Sequence, residues 1–378
     1  MKKMIALLLA LTMALSFAAF TAADEGTVKL GGIGPITGPA AIYGSAVKNA
    51  MEIAAEEVNA LGGLQFEVNF QDDAHDAEQS VNAYGNLMDW GMQVLVGCVT
   101  TTPCAAVAAE GAADNVFMLT PSASGPAVTE GRTNVFQMCF SDPNQGIASA
   151  DYISANFAGK SVAVIYNNGD AYSTGIYEKF ASEAAEKGIS IVYTGTFTDA
   201  SQTDFSSQLT ASQTAGAEIL FLPIYYTPIS LMMNQAAQMN YQVTYFGVDG
   251  MDGLLDLEGF DKTLAEGAYL LTPFSADAAD EKTQAFVAKY RKKFGETPTQ
   301  FAADGYDCVW ALYECLTAKG VTGSESASDL CDILKAEFGG SFTFSGITGS
   351  NMTWSASGEV SKDPMAVIIK DGAYASVN

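Results

Sequence analysis

The sequence has 378 residues, 48% of them hydrophobic, and a formal charge of −25 from 43 acidic and 18 basic side chains. That charge opposes contact with phosphate backbones, and no Lys/Arg cluster or basic aromatic stripe offsets it locally, so nucleic acid is excluded as a partner. A chain of this length passes the roughly 250 to 300 residues at which a single hydrophobic core stops growing, so two domains are expected.

At the amino end, Lys2 and Lys3 precede an apolar run over residues 4–20 that closes on the small residues Thr21, Ala22 and Ala23. This is the pattern of a secretory signal, expected to be cleaved after Ala23. A membrane span would need roughly 20 apolar residues with different flanks, and no later stretch reaches that length. The expected product is a soluble, exported protein.

From residue 28 onward, short β-type runs alternate with longer segments of helical period, the mark of mainly parallel sheets covered by helices. The first strand is expected over 28–34. A helix follows over 40–61, stopped by Gly62 and Gly63. Leu64, Phe66, Val68 and Phe70 then alternate with polar residues, giving a strand with one buried face. Further strands are expected over 93–97, 116–120, 161–166, 189–193, 218–223 and 244–248, each separated by a helix. The turn-rich segment Ser141-Asp142-Pro143-Asn144-Gln145-Gly146 is expected to carry the first interdomain crossing.

In open parallel sheets, ligands bind outside the carboxyl ends of the strands, so the residues after each strand carry the functional signal. One strand end is followed by Val99, Thr100, Thr101, Thr102 and Pro103, and the next by Pro121, Ser122, Ala123, Ser124 and Gly125. Hydroxyls and free N–H groups at a helix start suit a carboxylate, and helix capping alone is the competing reading. In the later half the strand ends carry Asp170-Ala171-Tyr172, Tyr225-Tyr226-Thr227-Pro228 and Val248-Asp249-Gly250. Asp249 is either an ammonium partner or a solvated, capping loop residue, and the tyrosines offer apolar walls with a polar tip.

Catalytic and metal readings find little support. The sole histidine, His75, is expected in a surface loop, and neither a Gly-x-Ser-x-Gly elbow nor a P-loop lysine motif is present. No cofactor is expected. The cysteines Cys98, Cys104, Cys139, Cys308, Cys315 and Cys331 are too scattered for a zinc site. Cys98 and Cys104 are close enough for a local bridge, and buried free thiols fit equally.

Taken in order, Gly34-Pro35-Ile36-Thr37-Gly38-Pro39, Tyr43-Gly44, Asn59-Ala60-Leu61-Gly62-Gly63, Asp72-Asp73, residues 97–102, Thr120-Pro121-Ser122-Ala123-Ser124 and Gly305-Tyr306-Asp307 resemble the type I periplasmic binding proteins of the branched-chain amino-acid family. The resemblance covers nearly the whole chain after the signal. It implies an α/β fold of two lobes, each a mainly parallel sheet flanked by helices, joined by three hinge crossings and closing on the ligand. The implied division assigns 24–143 and 272–345 to the first lobe, and 144–271 and 346–378 to the second. Thr101 would hold the ligand carboxylate, Ser124 would add a hydroxyl, and Ser122, followed by Ala123, would offer its carbonyl to the ammonium. Asp249 takes the place of the acidic ammonium partner with Tyr226 beside it, while Tyr43, Thr100, Tyr172 and Phe274 would line the cleft.

The resemblance also implies the partners, a free amino acid with branched side chains favoured and the permease of an ABC importer, for a protein that acts as a monomer. A sensory module of the same fold is the alternative. Two departures stand out. His75 and Thr100 occupy the positions of the family's disulfide near the cleft, and Phe20 stands where a lipoprotein signal would carry cysteine, so no lipid anchor is expected.

Overall fold

The apolar runs become strands because turn residues bound them and helices cover both their faces. A computed structural model describes residues 26–377; the expected signal segment, 1–23, lies outside them. The first sheet contains β1 (Thr27–Gly34), β2 (Gln65–Asp72), β3 (Val94–Gly97), β4 (Phe117–Thr120) and β5 (Val135–Gln137), all parallel, in the order β2-β1-β3-β4-β5. Its connections are α1 (Ala41–Ala60), α2 (Ala77–Trp90), α3 (Thr101–Ala113) and the short α4 (Pro126–Thr129). β3 and β4 are buried at every position, which is why they read as unbroken apolar runs rather than as alternation.

The second sheet is built from β6 (Ser161–Asn167), β7 (Ser190–Phe197), β8 (Ile219–Leu222), β9 (Thr244–Gly247), β10 (Tyr269–Thr272), β11 (Met365–Lys370) and β12 (Ala373–Ser376), in the order β12-β11-β10-β9-β8-β6-β7. β11 and β12 run antiparallel and the others parallel. Helix α5 (Asp142–Asn156) leads into β6, and α6 (Ala171–Lys187), α7 (Ser206–Thr214) and α8 (Tyr226–Gln238) connect successive strands from β6 to β9. The segment expected to carry the first crossing, 141–146, opens α5, which lies between β5 of the first sheet and β6 of the second. Ser141 stands just before the helix and Pro143 lies in its first turn, where a missing N–H costs nothing.

The chain then returns to the first sheet. After β10 come α9 (Glu281–Phe294), α10 (Gln300–Ala318) and α11 (Ala327–Phe338); α10 packs along α1, and α11 lies on β4. Residues 344–360 stay on that side: Gln137 N donates to Gly358 O at 2.9 Å, and Trp354 Nε1 donates to Gln137 O at 2.7 Å. Pairing with the second sheet resumes only at β11. Side chains of β1 (Val28, Leu30) and β8 (Leu220, Leu222) belong to one continuous apolar cluster, so the two sheet layers share packed surface.

Among the described residues no helix is long and apolar enough to cross a membrane. All six cysteines are buried free thiols; in place of a bridge, Cys98 N–H donates to Cys104 Sγ at 3.1 Å.

Candidate functional site

β3 runs out through Cys98 and Val99 into Thr100, the residue before α3. The Thr100 hydroxyl does not close on its own helix but pairs with His75 Nδ1 at 2.9 Å. The first N–H groups of a helix have no intrahelical partner. With no side chain capping them, those at Thr101 and Thr102 form the positive end of the α3 dipole. Thr101 Oγ1 accepts from Gly125 N at 3.2 Å, which leaves its own proton for another acceptor. One strand over, the Thr120 hydroxyl donates to Cys98 O at 2.7 Å and accepts from Ala123 N at 2.8 Å, and Ser122 Oγ donates to Val99 O at 2.6 Å. These bonds fold the loops after β3 and β4 against each other, so both hydroxyl clusters reach one place.

Opposite them stands Asp249, at the turn that follows β9, only 4% exposed. Tyr172, in the first turn of α6, donates its hydroxyl to Asp249 Oδ1 at 2.5 Å and accepts from Gly250 N at 2.9 Å. Asp249 N–H donates to Gln145 Oε1 at 3.2 Å, and Gln300 Nε2 donates to Asp249 O at 2.9 Å, so the backbone beneath the carboxylate is fixed from two helices. A side chain on Gly250 would lie 2.6 Å from the Tyr172 hydroxyl, which accounts for the glycine. Burial pushes the Asp249 carboxyl up to about 6, and the Tyr172 hydroxyl pulls it back only in part. An acid held this way lacks a cation and offers its charge to one.

Tyrosines clasp the two halves. Tyr43 OH, on α1, donates to Gly250 O at 2.5 Å and accepts from Tyr226 N at 3.2 Å. Tyr226 OH accepts from Ile42 N at 3.3 Å, and Thr227 Oγ1 donates to Pro39 O at 2.7 Å. Tyr43 can approach so closely because its neighbour is glycine: a Cβ at Gly44 would lie 2.0 Å from Pro35 O.

The structure brings Tyr43, Thr100, Thr101, Ser122, Tyr172 and Asp249 around one small cavity. Ser124 and Ala123 are fully buried behind it, the Ser124 hydroxyl set against the Asp142 carboxyl. Tyr226 sets its ring edge-on to Tyr43, 5.0 Å between centroids, and its place on the wall is taken by Tyr225. Phe274 is elsewhere: it packs against Phe286 at 6.3 Å and faces a separate chamber lined by Asp252, Thr272, Thr299 and Tyr374. Phe301, whose ring lies 4.1 Å from that of Tyr43, lines the cavity instead. His75 is not a surface residue. It is partly buried at φ 63°, its ring 5.4 Å from Tyr225 and its imidazole held below its ordinary pKa by burial.

The cavity measures about 10 Å³, about one water molecule's room and far below the roughly 150 Å³ that accommodates a benzene. Anything of amino-acid size requires the two sheet layers to separate before it enters.

Known proteins carry the same architecture. The model of the periplasmic binding protein family matches residues 27–367. The chain belongs to that family. It is 31% identical to the Leu/Ile/Val-binding protein homolog 3 of Brucella melitensis, over 82% of this chain and 83% of that one. A binding protein of Pseudomonas aeruginosa named for leucine, isoleucine, valine, threonine and alanine is 26% identical over 83% of this chain and 84% of its own. The crystal structure of LivJ from Streptococcus pneumoniae, a branched-chain amino-acid transporter component in complex with isoleucine, superposes with a TM-score of 0.84 at 26% identity, covering 93% of this chain and 98% of that one. The fold is therefore that of the type I members of the family, and the family is one of extracytoplasmic solute binders.

The Asp249 carboxyl makes the site sensitive to pH in a defined direction. Its folded value, about 6, exceeds the roughly 3.9 of an unfolded chain, so its contribution to stability is complete below about pH 4 and is lost as pH rises through 6, about 3 kcal/mol in all. Asp73, pushed to about 6, and Asp252, pushed to about 7, are raised by burial in the same sense. Ligand-free protein is expected to melt higher at pH 5 than at pH 7.5, and Asp249→Asn to reduce that difference in calorimetric scans.

Proposed function

We propose that this chain is a non-catalytic receptor that captures a free amino acid between two lobes and delivers it to the permease of an ABC importer. The observation that carries the reading is the facing pair of opposite receptors: uncapped N–H groups and the Thr101 hydroxyl on one side, and a sealed, cation-free carboxylate at Asp249 on the other. A zwitterion satisfies both, with its carboxylate at the start of α3 and its ammonium on Asp249, whereas a sugar or a simple organic acid leaves the buried charge unpaired. Thr101 then carries the carboxylate with help from Ser124, Ser122 supplies a carbonyl to the ammonium, and Tyr43, Tyr172 and Tyr225 form the walls. The relatives' names put branched aliphatic side chains first among the candidates.

The moving bodies in this reading are a first lobe of β1 to β5 with α9 to α11 and the segment up to residue 361, rather than 345, because Trp354 and Gly358 bond to Gln137 of the first sheet, and a second lobe made of the remaining strands. The bonds from Tyr43, Tyr226 and Thr227 break on opening and re-form on closure. The receptor works as an exported monomer.

Thermal unfolding of protein refolded free of carried-over ligand, screened against amino acids, sugars and organic acids, tests this. An amino acid at about a hundred times its dissociation constant adds about 2.7 kcal/mol, a clear rise in melting temperature. Stabilisation only by compounds without an ammonium group would overturn the reading.

A further inference from the structure

The cleft has a second chamber, of about 350 Å³, formed where the Asp72–Asp76 loop of the first sheet meets the strand ends of β6 and β8. A wall one residue thick separates it from the small cavity. Tyr225 lines both spaces, and His75, on the chamber side, holds Thr100, on the cavity side, through the 2.9 Å bond between Nδ1 and Oγ1. The size is that of a site for a small organic group.

Its lining is unlike an aliphatic pocket. Asp76, Asp170 and Asp199 face it, and neither lysine nor arginine does. Asp170 is 7% exposed and caps α6, its carboxylate accepting from Ser173 N at 3.2 Å with the N–H groups of Ala171 and Tyr172 beside it; the exposed Asp199 receives Asn167 Nδ2 on Oδ1 at 2.7 Å. The Tyr225 hydroxyl is sealed from solvent with no hydrogen-bond partner, an unexplained polar group in the wall itself. Burial lowers the pKa of the His75 imidazole against the pull of Asp199 and Asp76. Among the described residues no group of three or more His, Cys, Asp or Glu side chains is arranged to hold a metal ion.

We propose that this chamber receives the side chain of the captured amino acid and selects one that ends in a cation, of the lysine and arginine class. The inference rests on the amino-acid reading above and specifies its substrate. With the ammonium on Asp249 and the carboxylate at Thr101, a long side chain parts the rings of His75 and Tyr225, which meet edge to face at 5.4 Å in this wall, and brings its charged end to Asp170 and Asp199. An aliphatic side chain in the same place leaves the buried Asp170 carboxylate without a cation, which opposes binding, while the exposed Asp199 adds attraction only for a charged end. The Tyr225 hydroxyl gains a partner along the way.

Norleucine matches the lysine stem without its terminal ammonium, so the pair isolates the chamber's contribution. Isothermal titration of ligand-free protein is expected to show lysine or arginine binding roughly tenfold or more tightly than norleucine and leucine. The double variant Asp170→Asn/Asp199→Asn is expected to collapse that ratio; asparagine at 170 still caps α6, so folding is retained. Tight binding of leucine or isoleucine with lysine and arginine silent would overturn this proposal and leave the amino-acid reading standing. A preference for lysine or arginine that survives the double variant would overturn the assignment to this chamber. Failure of every amino acid to bind would overturn both.

Discussion

Replacing Asp249 with alanine is expected to weaken amino-acid binding at least a hundredfold while leaving the ligand-free protein as stable as before, or more so, at pH 7.5. The loss follows from enclosure. In the closed cleft the ammonium has no water, and an ammonium without its acid costs about 3 to 5 kcal/mol, each 1.4 kcal/mol being a factor of ten. The stability follows from the same burial, because the carboxyl sits at about 6 and is held ionised at pH 7.5 against its environment. Removing it deletes that cost along with the Tyr172 bond of 2.5 Å. Titration calorimetry and thermal scans on one preparation separate the two effects, and a variant that loses stability and affinity together would point to collapse of the turn after β9. Undiminished affinity would remove Asp249 from the site. The pH dependence of binding runs opposite to that of ligand-free stability: below about pH 6 the acid is protonated before the ligand arrives, so affinity is expected to fall as stability rises.

That Asp249, Thr101 and Tyr172 meet was legible in the sequence because each follows a short strand run with clear bounds, and parallel strands deliver their carboxyl ends to one edge. What was not legible is rotation and long-range packing. Tyr225 and Tyr226 are adjacent at a helix start, where successive residues point about 100° apart, and only the docking of α8 against α1 decides that 226 clasps Ile42 while 225 faces the cavity. Phe274 and Phe301 differ for a similar reason. The Thr272 hydroxyl accepts from Phe274 N at 3.1 Å and turns that loop toward Phe286, whereas Phe301 is carried to Tyr43 by a helix pairing with a segment more than 200 positions earlier.

His75 was misplaced because its loop reads as polar. Asp72 and Asp73 instead fold it inward, accepting from Ala74 N and His75 N at 2.9 Å each. The β11–β12 hairpin did leave a local trace, Asp371-Gly372 at φ 54° and 74°, the pair a tight hairpin turn prefers.

The second large effect is expected at the last passage between the sheets, where Lys362→Met should destabilise the protein by about 3 to 5 kcal/mol. Lys362 Nζ lies 2.7 Å from Asp304 Oδ1 and 2.6 Å from Thr348 Oγ1, with the two charged side chains 1% and 2% exposed. Thr348 in turn donates its hydroxyl to Asp307 Oδ2 at 2.6 Å, and Asp307 also takes Ile347 N at 3.0 Å and Thr348 N at 2.8 Å. One ammonium thus serves a network containing two buried carboxyls on α10 and ties residues 345–362 to that helix. Methionine keeps the apolar stem and removes the charge, which leaves Asp304 without its cation. Such a pair contributes little relative to an apolar replacement of both members, but much relative to loss of one. The double variant Lys362→Met/Asp304→Asn should therefore recover most of the loss, measured by chemical denaturation, with hydrogen exchange over residues 344–362 reporting whether the passage loosens first. A single variant within about 0.5 kcal/mol of the parent would show that the pair is not what holds this passage. Because the segment runs between the two sheets without lining the small cavity, ligand affinity should change far less than stability, the reverse of the pattern expected at Asp249.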